Sequence, residues 1–369
     1  KSILETRLRS ALWGIFAGDA LAMPTHWFYG GLRQIQATYG SAGITEYIAP
    51  VYDLPGSILN KSNINGAGRS RAGDSGKKKN VNGGMSSIIG DVICHGKLEL
   101  WAPNQAIHYH ATLQRGECTL EAQLCRILMA SMVKNHGAFD QNAFRNDYVT
   151  FMTTPDSHND TYASTCHRMF FANKVFRGRP LDECPDNDAH NVDTLDGMVL
   201  PTVVALAYAC QSERFSKKDG IEATILAAGA TRKSDALEQA CAPWLRFITA
   251  ALLVENDIAF DAEMVEFAKS MGLRAPNANP HGQDFLCACY LQHGMSTTLD
   301  LIASFPKDAE GCLLRNANSG GENVHRGALL GAICGAREDG GLAEKWRTGL
   351  HDYAQLSSEI DAFVACILK

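Results

Sequence analysis

The chain has 369 residues, 46% of them hydrophobic and 20% charged, which is typical of an ordinary globular protein with room for one large or two medium domains. Its formal net charge of −6 argues against a general binder of nucleic acid or of anionic membranes, since both need a basic surface. The apolar runs are also too short for a membrane-spanning helix.

The predicted elements, taken in chain order, are almost all helices. A capping-box signature at Ser2 and Glu5 opens the first helix, and Thr119 opens another with a clear apolar face. Residues 44–48 carry the only tempting strand pattern. Further helices are predicted at about 161–177, 197–211, 221–230, 235–254, 258–271, 283–293, 296–304, 322–336 and 355–368. We therefore predict an all-α fold in one compact domain over residues 1–369.

A segment at about 56–85 departs from the helical pattern because it is rich in Gly, Asn, Ser and Lys. Its charged residues are basic except for Asp74. Two interpretations stay open: a solvated surface insertion, or a lid that brings positive charge to a phosphate-bearing ligand. The segment contains neither a Walker loop nor the three glycines of a dinucleotide fingerprint.

The twelve cysteines are predicted to be free thiols rather than a disulfide framework. Cys94, Cys125, Cys210 and Cys334 lie in apolar patterns predicted to be helical, where cysteine behaves as a small buried hydrophobic residue. The chain also has no Cys-x-x-Cys pair. We therefore expect a reducing, cytoplasmic location.

The first helix is predicted to stop before Pro24 and to display His26 just beyond its end. Two interpretations of this histidine remain open. Its imidazole either lines a pocket or simply packs against the neighbouring Trp27.

Two further histidine patterns follow along the chain. Asp91 and His95 are four residues apart, which predicts a shared helix face and an ordinary Asp–His pair. His108 and His110 are two residues apart, so both imidazoles could serve one ligand only if the backbone there is not helical.

Two acidic segments precede predicted helices. Asp160 lies in a polar turn and is predicted to cap the helix that follows it. The segment 186–196 holds four aspartates and His190. A calcium loop is conceivable there, but the spacing of an EF-hand is missing, so a solvated loop is the default expectation.

The predicted helix near the C-terminus has a face without side chains. Gly327, Gly331 and Gly335 recur every four residues and therefore fall on one side of that helix. This spacing predicts that another backbone approaches the helix closely.

Polar groups of several kinds are concentrated at the start of the same helix. Gly320 and Gly321 leave backbone amides free, and the helix dipole there favours an anion. A plain, well-capped core helix is the alternative interpretation. The side chains that make a binding site the more attractive hypothesis belong to Glu322, Asn323, His325 and Arg326.

Four segments carry motifs in a characteristic order. They are Gly14-x-x-x-Gly18-Asp-Ala-Leu-Ala-Met-Pro24, Asp196-Gly-Met-Val-Leu-Pro201, Ala230-Thr-Arg-Lys-Ser-Asp-Ala236 and Asn318-Ser-Gly-Gly-Glu-Asn-Val-His325. Together they resemble the ADP-ribosylglycohydrolase superfamily over residues 10 to about 336. The resemblance implies a compact multi-helix orthogonal bundle. The segments around His26 and Glu322 look closer still to the divergent branch of J-crystallins and selenoprotein J.

In that superfamily, carboxylates and a hydroxyl hold two magnesium ions, and this chain departs from the pattern. His26 stands at the first carboxylate position, Val324 replaces a later carboxylate, and His325 stands at the hydroxyl position. Magnesium prefers oxygen donors, so these replacements should weaken its binding sharply. The resemblance therefore implies at most a degenerate Mg²⁺ site with Glu322 and His325 as ligands, and no other cofactor.

The resemblance further implies a hydrolase that cleaves an ADP-ribosyl or related N- or O-glycosidic bond. Glu322 is the expected general base, while His26 and His325 are expected to position water or protonate the leaving group. The expected ligand is a small molecule or an ADP-ribosylated substrate, with neither nucleic acid nor a membrane as partner. The expected substrate-binding residues are Gly320, Gly321, Asn323, Arg326, Asp19, His110 and Arg232.

Two alternatives are kept. The missing metal carboxylates are equally compatible with a non-catalytic, crystallin-like structural protein. A pocket that retains polar groups but lacks the metal site would also suit an ADP-ribose-binding pseudoenzyme, which senses the ligand without hydrolysing it.

Overall fold

The computed structural model describes residues 2–66, 87–278 and 289–369. In these ranges the regular elements are all helical, and strand-like pairing is limited to isolated bridges such as the one between Asp53 and Ile107. The predicted all-α fold is thus confirmed, and residues 44–48 form no strand. The α-helices of the described ranges are α1 Ile3–Ala22, α2 Gly31–Tyr39, α3 Ile88–Asp91, α4 Leu120–Lys134, α5 Gln141–Thr153, α6 Thr165–Val175, α7 Val199–Ala209, α8 Lys217–Ala228, α9 Asp235–Leu253, α10 Asp257–Ser270, α11 Leu291–Ser304, α12 Ala309–Ala317, α13 Asn323–Arg337, α14 Glu344–Thr348 and α15 Tyr353–Ile367.

Both predicted helix starts are confirmed. The Ser2 side chain accepts a hydrogen bond from the backbone N–H of Glu5, which satisfies a donor that α1 itself leaves unpaired. Helix α4 begins directly after Thr119. Helix α8 begins earlier than predicted, because Ser216 and Asp219 form a reciprocal capping box in front of it.

Other helices differ from the prediction. Helix α11 is continuous where a break was expected near residue 295, and residues 283–288 of the predicted 283–293 helix lie outside the described ranges. Helices α2, α5, α12 and α14 were not predicted. Helix α2 has nine residues and buries only Gly31 and Ile35, so its apolar signal is confined to a short segment.

The prediction that Asp91 and His95 share a helix face is wrong. Helix α3 ends at Asp91, and Gly90 and Cys94 have positive φ angles of 97° and 49° that turn the backbone away from a helical path. Cys94 is therefore buried in a turn rather than in a helix. The Asp91 carboxylate accepts a hydrogen bond from the Ser87 N–H at 2.9 Å.

Helices α1 and α13 pack with their backbones in contact. A Cβ atom placed on Gly14 would lie 1.9 Å from the carbonyl oxygen of Gly331, and one on Gly18 would lie 1.9 Å from that of Gly327. Gly335 meets the first half of α1 in the same way. The predicted side-chain-free face of α13 is thus confirmed, and its partner is the glycine pair of α1.

The register of this contact determines which ends of the two helices meet. The contacting pairs run in opposite directions along the chain, so α1 and α13 are antiparallel. The C-terminal end of α1 therefore lies beside the N-terminal end of α13. His26 follows α1 after one turn of 3-10 helix, and Glu322 immediately precedes α13. Helix packing alone brings these two distant residues together.

Three further expectations concern the predicted lid, the thiols and membrane-spanning helices. Most of the predicted lid, residues 67–85, lies outside the described ranges. The eleven cysteines within those ranges are all free thiols. Among the described helices, none combines the length and apolar character needed to span a membrane.

Candidate functional site

A cavity of about 310 Å³ opens where the end of α1 meets the start of α13. Aromatic side chains form much of its wall, and charged or titratable groups lie between them. The aromatic residues are Trp27, Tyr29, Tyr109, Tyr162 and Tyr290. The charged and titratable residues are Lys61, Arg168, His190, Asp196, Glu322 and His325.

Three residues at one end of the cavity, which we name the cavity triad, bring their donor atoms together. They are His26, Glu322 and His325, and one donor atom from each lies within 4.8 Å of the others. Glu322 Oε1 is 3.2 Å from His26 Nε2 and 2.6 Å from His325 Nδ1. Glu322 and His325 border the cavity, whereas His26 is fully buried behind them. The structure therefore brings together the three residues predicted to be catalytic.

The electrostatics of the cavity triad favour one charge state. Although burial alone would raise it, the pKa of Glu322 lies well below its ordinary value because His325 and His26 face the carboxylate. Against the effect of burial, Glu322 raises the pKa of His325 to about 10. Burial lowers the pKa of His26 to about 4. At neutral pH the triad thus holds a carboxylate, an imidazolium and a neutral imidazole.

A second row of side chains supports His26 from behind. His26 Nδ1 lies 2.7 Å from His110 Nε2, and the two rings are stacked with their centroids 5.0 Å apart. His110 Nδ1 lies 2.7 Å from Asp160 Oδ1. His110 does not border the cavity, so it contacts the triad rather than the cavity space. Its predicted position at the site is supported only in this indirect form.

Asp160 does not cap the helix that follows it, and that prediction is wrong. Helix α6 begins only at Thr165, after Ser164. The Asp160 carboxylate instead accepts the N–H of Leu120, the first residue of α4, at 2.9 Å, and holds His110 with its other oxygen. This long-range contact allows one carboxylate to serve both a helix start and the row behind the site.

The backbone at His108 and His110 is not helical, as a shared role of the two rings would require. His108 Nε2 lies 3.0 Å from the carbonyl oxygen of Pro24, and its Nδ1 accepts the His110 N–H at 2.9 Å. Since Nε2 faces an acceptor and Nδ1 faces a donor, the proton of this ring is on Nε2. His108 therefore fixes the loop that carries His110.

The acidic segment 186–196 is not wholly solvated, because two of its aspartates have partners elsewhere in the fold. Asp193 accepts from Ser234 Oγ at 2.6 Å, while Asp196 is buried and lies 2.9 Å from the Arg232 guanidinium. Burial would raise the pKa of Asp196, but Arg232 holds it below its ordinary value. Arg232, predicted to bind substrate, is not in the cavity lining and acts there only through Asp196.

A second group of donors lies outside the cavity lining, and we name Glu121, Cys166 and His167 the closed triad. Their donor atoms also lie within 4.8 Å of one another, and all three residues are buried. His167 Nε2 donates to Glu121 Oε1 at 2.6 Å, and Arg232 Nη2 is 4.0 Å from the same carboxylate. The described part of the chain thus contains two groups of residues that could hold a metal ion.

The other predicted substrate-binding residues shape the site rather than border it. Gly320 and Gly321 have positive φ angles, and a Cβ on Gly320 would lie 2.4 Å from the Phe28 carbonyl oxygen. Gly321 accepts the Trp27 N–H at 2.9 Å. The two glycines therefore hold the loop before α13 against the loop after α1.

Asn323, Arg326 and Asp19 are also absent from the cavity lining. Asn323 Nδ2 donates to the Thr25 hydroxyl at 2.8 Å, which ties the start of α13 to the end of α1. Arg326 Nε donates to an asparagine side chain of α12 at 2.7 Å. The Asp19 carboxylate accepts the N–H and the hydroxyl of Thr119 at 2.7 and 2.6 Å. Each of these residues joins two segments of the fold.

The aromatic wall was missed by sequence reasoning. Trp27 was considered only as packing for His26, and the rings are indeed stacked with centroids 5.2 Å apart. Tyr109 lies between the two histidines of its segment, and Tyr162 lies two residues after Asp160. Their nearness to residues already singled out was the one available signal, since Tyr290 comes from a distant part of the chain.

Comparisons with known proteins agree with this architecture. The sequence model of the ADP-ribosylglycohydrolase family matches residues 1–367. No curated protein matches the chain. Among solved structures, an ADP-ribosylglycohydrolase-related protein complex is similar, with a TM-score of 0.56 and 15% sequence identity over 98% of each chain. At that identity the likeness concerns the fold alone. Because the family model covers nearly every residue, this chain belongs to the ADP-ribosylglycohydrolase family.

Proposed function

We propose that this protein hydrolyses an ADP-ribosyl or closely related N- or O-glycosidic bond in the aromatic-walled cavity. Membership of the ADP-ribosylglycohydrolase family supports a glycohydrolase-type function. The observation that carries the proposal is the position of Glu322. Its carboxylate is buried, stays ionised between two imidazoles, and still borders the cavity.

The charges around the cavity suit the cleavage of a glycosidic bond. Such cleavage passes through a transition state with positive charge on the sugar, which negative groups stabilise. Glu322 and Asp196 both border the cavity, and the pKa of each lies below its ordinary value against the opposing effect of burial. In the proposed reaction Glu322 also receives the proton of the attacking water.

The two histidines of the cavity triad have different proposed roles. His325 borders the cavity, and its raised pKa keeps it protonated at neutral pH, so it is the group placed to give a proton to the leaving group. His26 is fully buried and touches Glu322 rather than the cavity. It is therefore a positioning residue that fixes the carboxylate.

The remaining cavity residues suit a ligand with flat rings and negative charge. Aromatic faces such as those of Trp27 and Tyr162 pack against bases and sugars. Lys61 and Arg168 border the same space and would offset phosphate charge. These aromatic and basic residues thus support binding of an ADP-ribosyl group. The carboxylates and the imidazolium that border the cavity support chemistry at the sugar.

Magnesium fits this donor set poorly. Two of the three triad donors are imidazole nitrogens, whereas Mg²⁺ requires near-octahedral oxygen ligands at about 2.0–2.1 Å. The degenerate magnesium site implied by the sequence therefore supplies no step in the proposed reaction.

Glu322→Gln tests the assignment, because it keeps the shape of the side chain and removes its charge. We expect turnover of ADP-ribosylated peptides to fall by about 10²–10⁴-fold, the usual contribution of a positioned base. Glu263→Gln, which breaks an exposed pair with Arg246, is the matched control and should keep full activity. Equal turnover of Glu322→Gln and wild type would contradict the assignment.

The same assay decides between the alternatives. ADP-ribose binding without turnover by the wild-type protein would favour the sensing pseudoenzyme. Neither binding nor turnover would favour the crystallin-like structural protein.

A further inference from the structure

A row of side chains runs from Asp160 to Glu322. Three contacts link its four groups: Asp160 with His110, His110 with His26, and His26 with Glu322. The last contact brings a ring nitrogen and a carboxylate oxygen, both of which can be metal ligands, to 3.2 Å from each other.

The row suits a metal-bound His26. If Nε2 of His26 gives its lone pair to an ion, its ring proton is on Nδ1 and is donated to His110 Nε2. His110 Nδ1 then donates to Asp160. Every contact behind the ion would thus be satisfied.

The separation of the two donor atoms also suits a shared metal ion. Two donors bound to one ion at about 2.1 Å lie about 3.0–3.4 Å apart in octahedral or tetrahedral coordination. The separation of His26 Nε2 and Glu322 Oε1 is within that range. His325 Nδ1 is the third donor, 2.6 Å from the same oxygen, and its shared proton would leave as the ion enters.

Two features of a working metal site are also present. Metal-binding histidines usually donate their other N–H to a second residue that fixes the ring. His26 is placed to do so, because its Nδ1 contacts His110, which Asp160 holds in turn. Glu322 and His325 border the cavity, so further coordination positions face the space available to water and substrate.

We propose that His26, Glu322 and His325 form a mononuclear site for a divalent first-row transition-metal ion of the zinc or iron type, in place of magnesium. Two imidazoles with one carboxylate are a donor set that such ions prefer. The inference extends the proposed function and depends on it only for the role of the ion in turnover, since binding is measured without substrate. With an ion bound, Glu322 and His325 would be ligands, and the ion would supply the water activation and charge stabilisation otherwise given to these two side chains.

Equilibrium dialysis of the chelator-treated full chain against Zn²⁺, Co²⁺ and Mg²⁺ tests the proposal. We expect one Zn²⁺ per chain, Co²⁺ with the visible absorption of a nitrogen-ligated ion, and Mg²⁺ weaker than Zn²⁺ by at least about 100-fold. His325→Ala should lower the Zn²⁺ affinity about 100-fold or more, while His293→Ala on the exposed face of α11 should not change it. Glu322→Gln keeps the shape of the site and serves if His325→Ala does not fold.

The outcomes separate this inference from the proposed hydrolysis. Zn²⁺ binding without turnover upholds the metal site and contradicts the hydrolase. Turnover by a metal-free chain contradicts a catalytic role for the ion. Mg²⁺ binding as tight as Zn²⁺, full Zn²⁺ affinity in folded Glu322→Gln, or no binding by folded wild type each overturns the metal site.

Discussion

The cavity triad and the closed triad offer similar donors at similar burial, yet their surroundings differ. Each holds one glutamate and one histidine that share a hydrogen bond of 2.6 Å, together with a third donor. In the closed triad the second ring nitrogen of His167 is 2.7 Å from the Tyr148 hydroxyl, and Arg232 lies 4.0 Å from Glu121. In the cavity triad, the partners of the Glu322 carboxylate in the described structure are two imidazoles, His325 at 2.6 Å and His26 at 3.2 Å.

Both triads hold an imidazole whose pKa is raised, His325 in one and His167 in the other, and the closed triad has a fixed cation in addition. A guanidinium keeps its charge at any ordinary pH and cannot become a ligand. Burial opposes the charge of Arg232, but Asp196 raises its pKa above the ordinary value, so the closed triad keeps its cation. An imidazolium such as His325 can release its proton and bind an ion through the freed nitrogen. Donor atoms alone therefore do not make a metal site. The absence of a fixed neighbouring cation and access to a cavity are also needed.

Replacing the fixed cation, Arg232, should have the largest effect, because it makes the closed triad more like the cavity triad. Arg232→Gln leaves Asp196 and Glu121 buried without their guanidinium, so we expect a loss of about 3–5 kcal/mol in the free energy of unfolding. Zn²⁺ should restore part of that loss by binding the closed triad. Urea unfolding with and without Zn²⁺ measures both effects.

The control for this change is Arg246→Gln, which breaks an exposed pair and should cost no more than about 1 kcal/mol. Equal losses in the two variants would show that Arg232 is not the cation that closes the second triad.

In the described structure, neither a guanidinium nor an imidazolium contacts the buried carboxylate of Asp19. Its contribution to the free energy of unfolding should therefore depend on pH. Burial raises its pKa to about 6, so the contribution of Asp19 to stability is present below about pH 4 and is lost as pH rises through 6. Asp19→Asn keeps both bonds to Thr119, because the amide can accept from the N–H and donate to the hydroxyl. We expect the variant to match wild type near pH 4 and to be more stable at pH 8 by up to about 3 kcal/mol.

Thermal unfolding across that pH range is the measurement for Asp19. A variant that is less stable than wild type at pH 8 would mean that the charged carboxylate is stabilising there, contrary to the burial argument.

The supporting row of the cavity triad can be weakened without touching a proposed ligand. Asp160→Asn should leave one donor, the Leu120 N–H or the His110 ring N–H, without its acceptor, and should loosen the orientation of His26. We expect Zn²⁺ affinity to fall about 10–100-fold. Asp300→Asn, which alters a buried aspartate paired with Arg274, is the matched control in equilibrium dialysis. An unchanged Zn²⁺ affinity in Asp160→Asn would show that the row does not position His26 for metal binding.

The smallest effect is expected at the cysteine of the closed triad. Cys166→Ser keeps a small side chain beside Ser164 Oγ, which is 3.3 Å from the thiol, so we expect a stability change within about 1 kcal/mol. Zn²⁺ affinity at the cavity triad should stay the same. A marked fall of zinc stoichiometry in Cys166→Ser would show that the closed triad is a metal site after all.

Much of the fold and the centre of the site could be predicted from the sequence because their signals are local. The four-residue glycine spacing of α13 predicted a close backbone contact, and Gly14 and Gly18 supply it. Pro24 correctly marked the region where α1 ends, and the polar cluster at Glu322 correctly marked the start of α13.

The rest depends on contacts between distant segments, which no local pattern encodes. Asp160 looked like a cap for the next helix, but it serves α4 and His110 instead. Arg232 was predicted to bind substrate. Its guanidinium instead pairs with the buried carboxylate of Asp196, and Arg232 itself does not border the cavity. Helix α5 is a different case. Its buried residues recur at helical spacing, so its sequence does carry a local signal for a helix.

Anomalous diffraction at the zinc absorption edge, from crystals grown with Zn²⁺, shows directly which triad holds the ion. We expect one peak bounded by His26 Nε2, Glu322 Oε1 and His325 Nδ1, with none at Glu121, Cys166 and His167. A peak at the closed triad would contradict the metal assignment, and so would the absence of a peak at the cavity triad in a protein that binds zinc in solution.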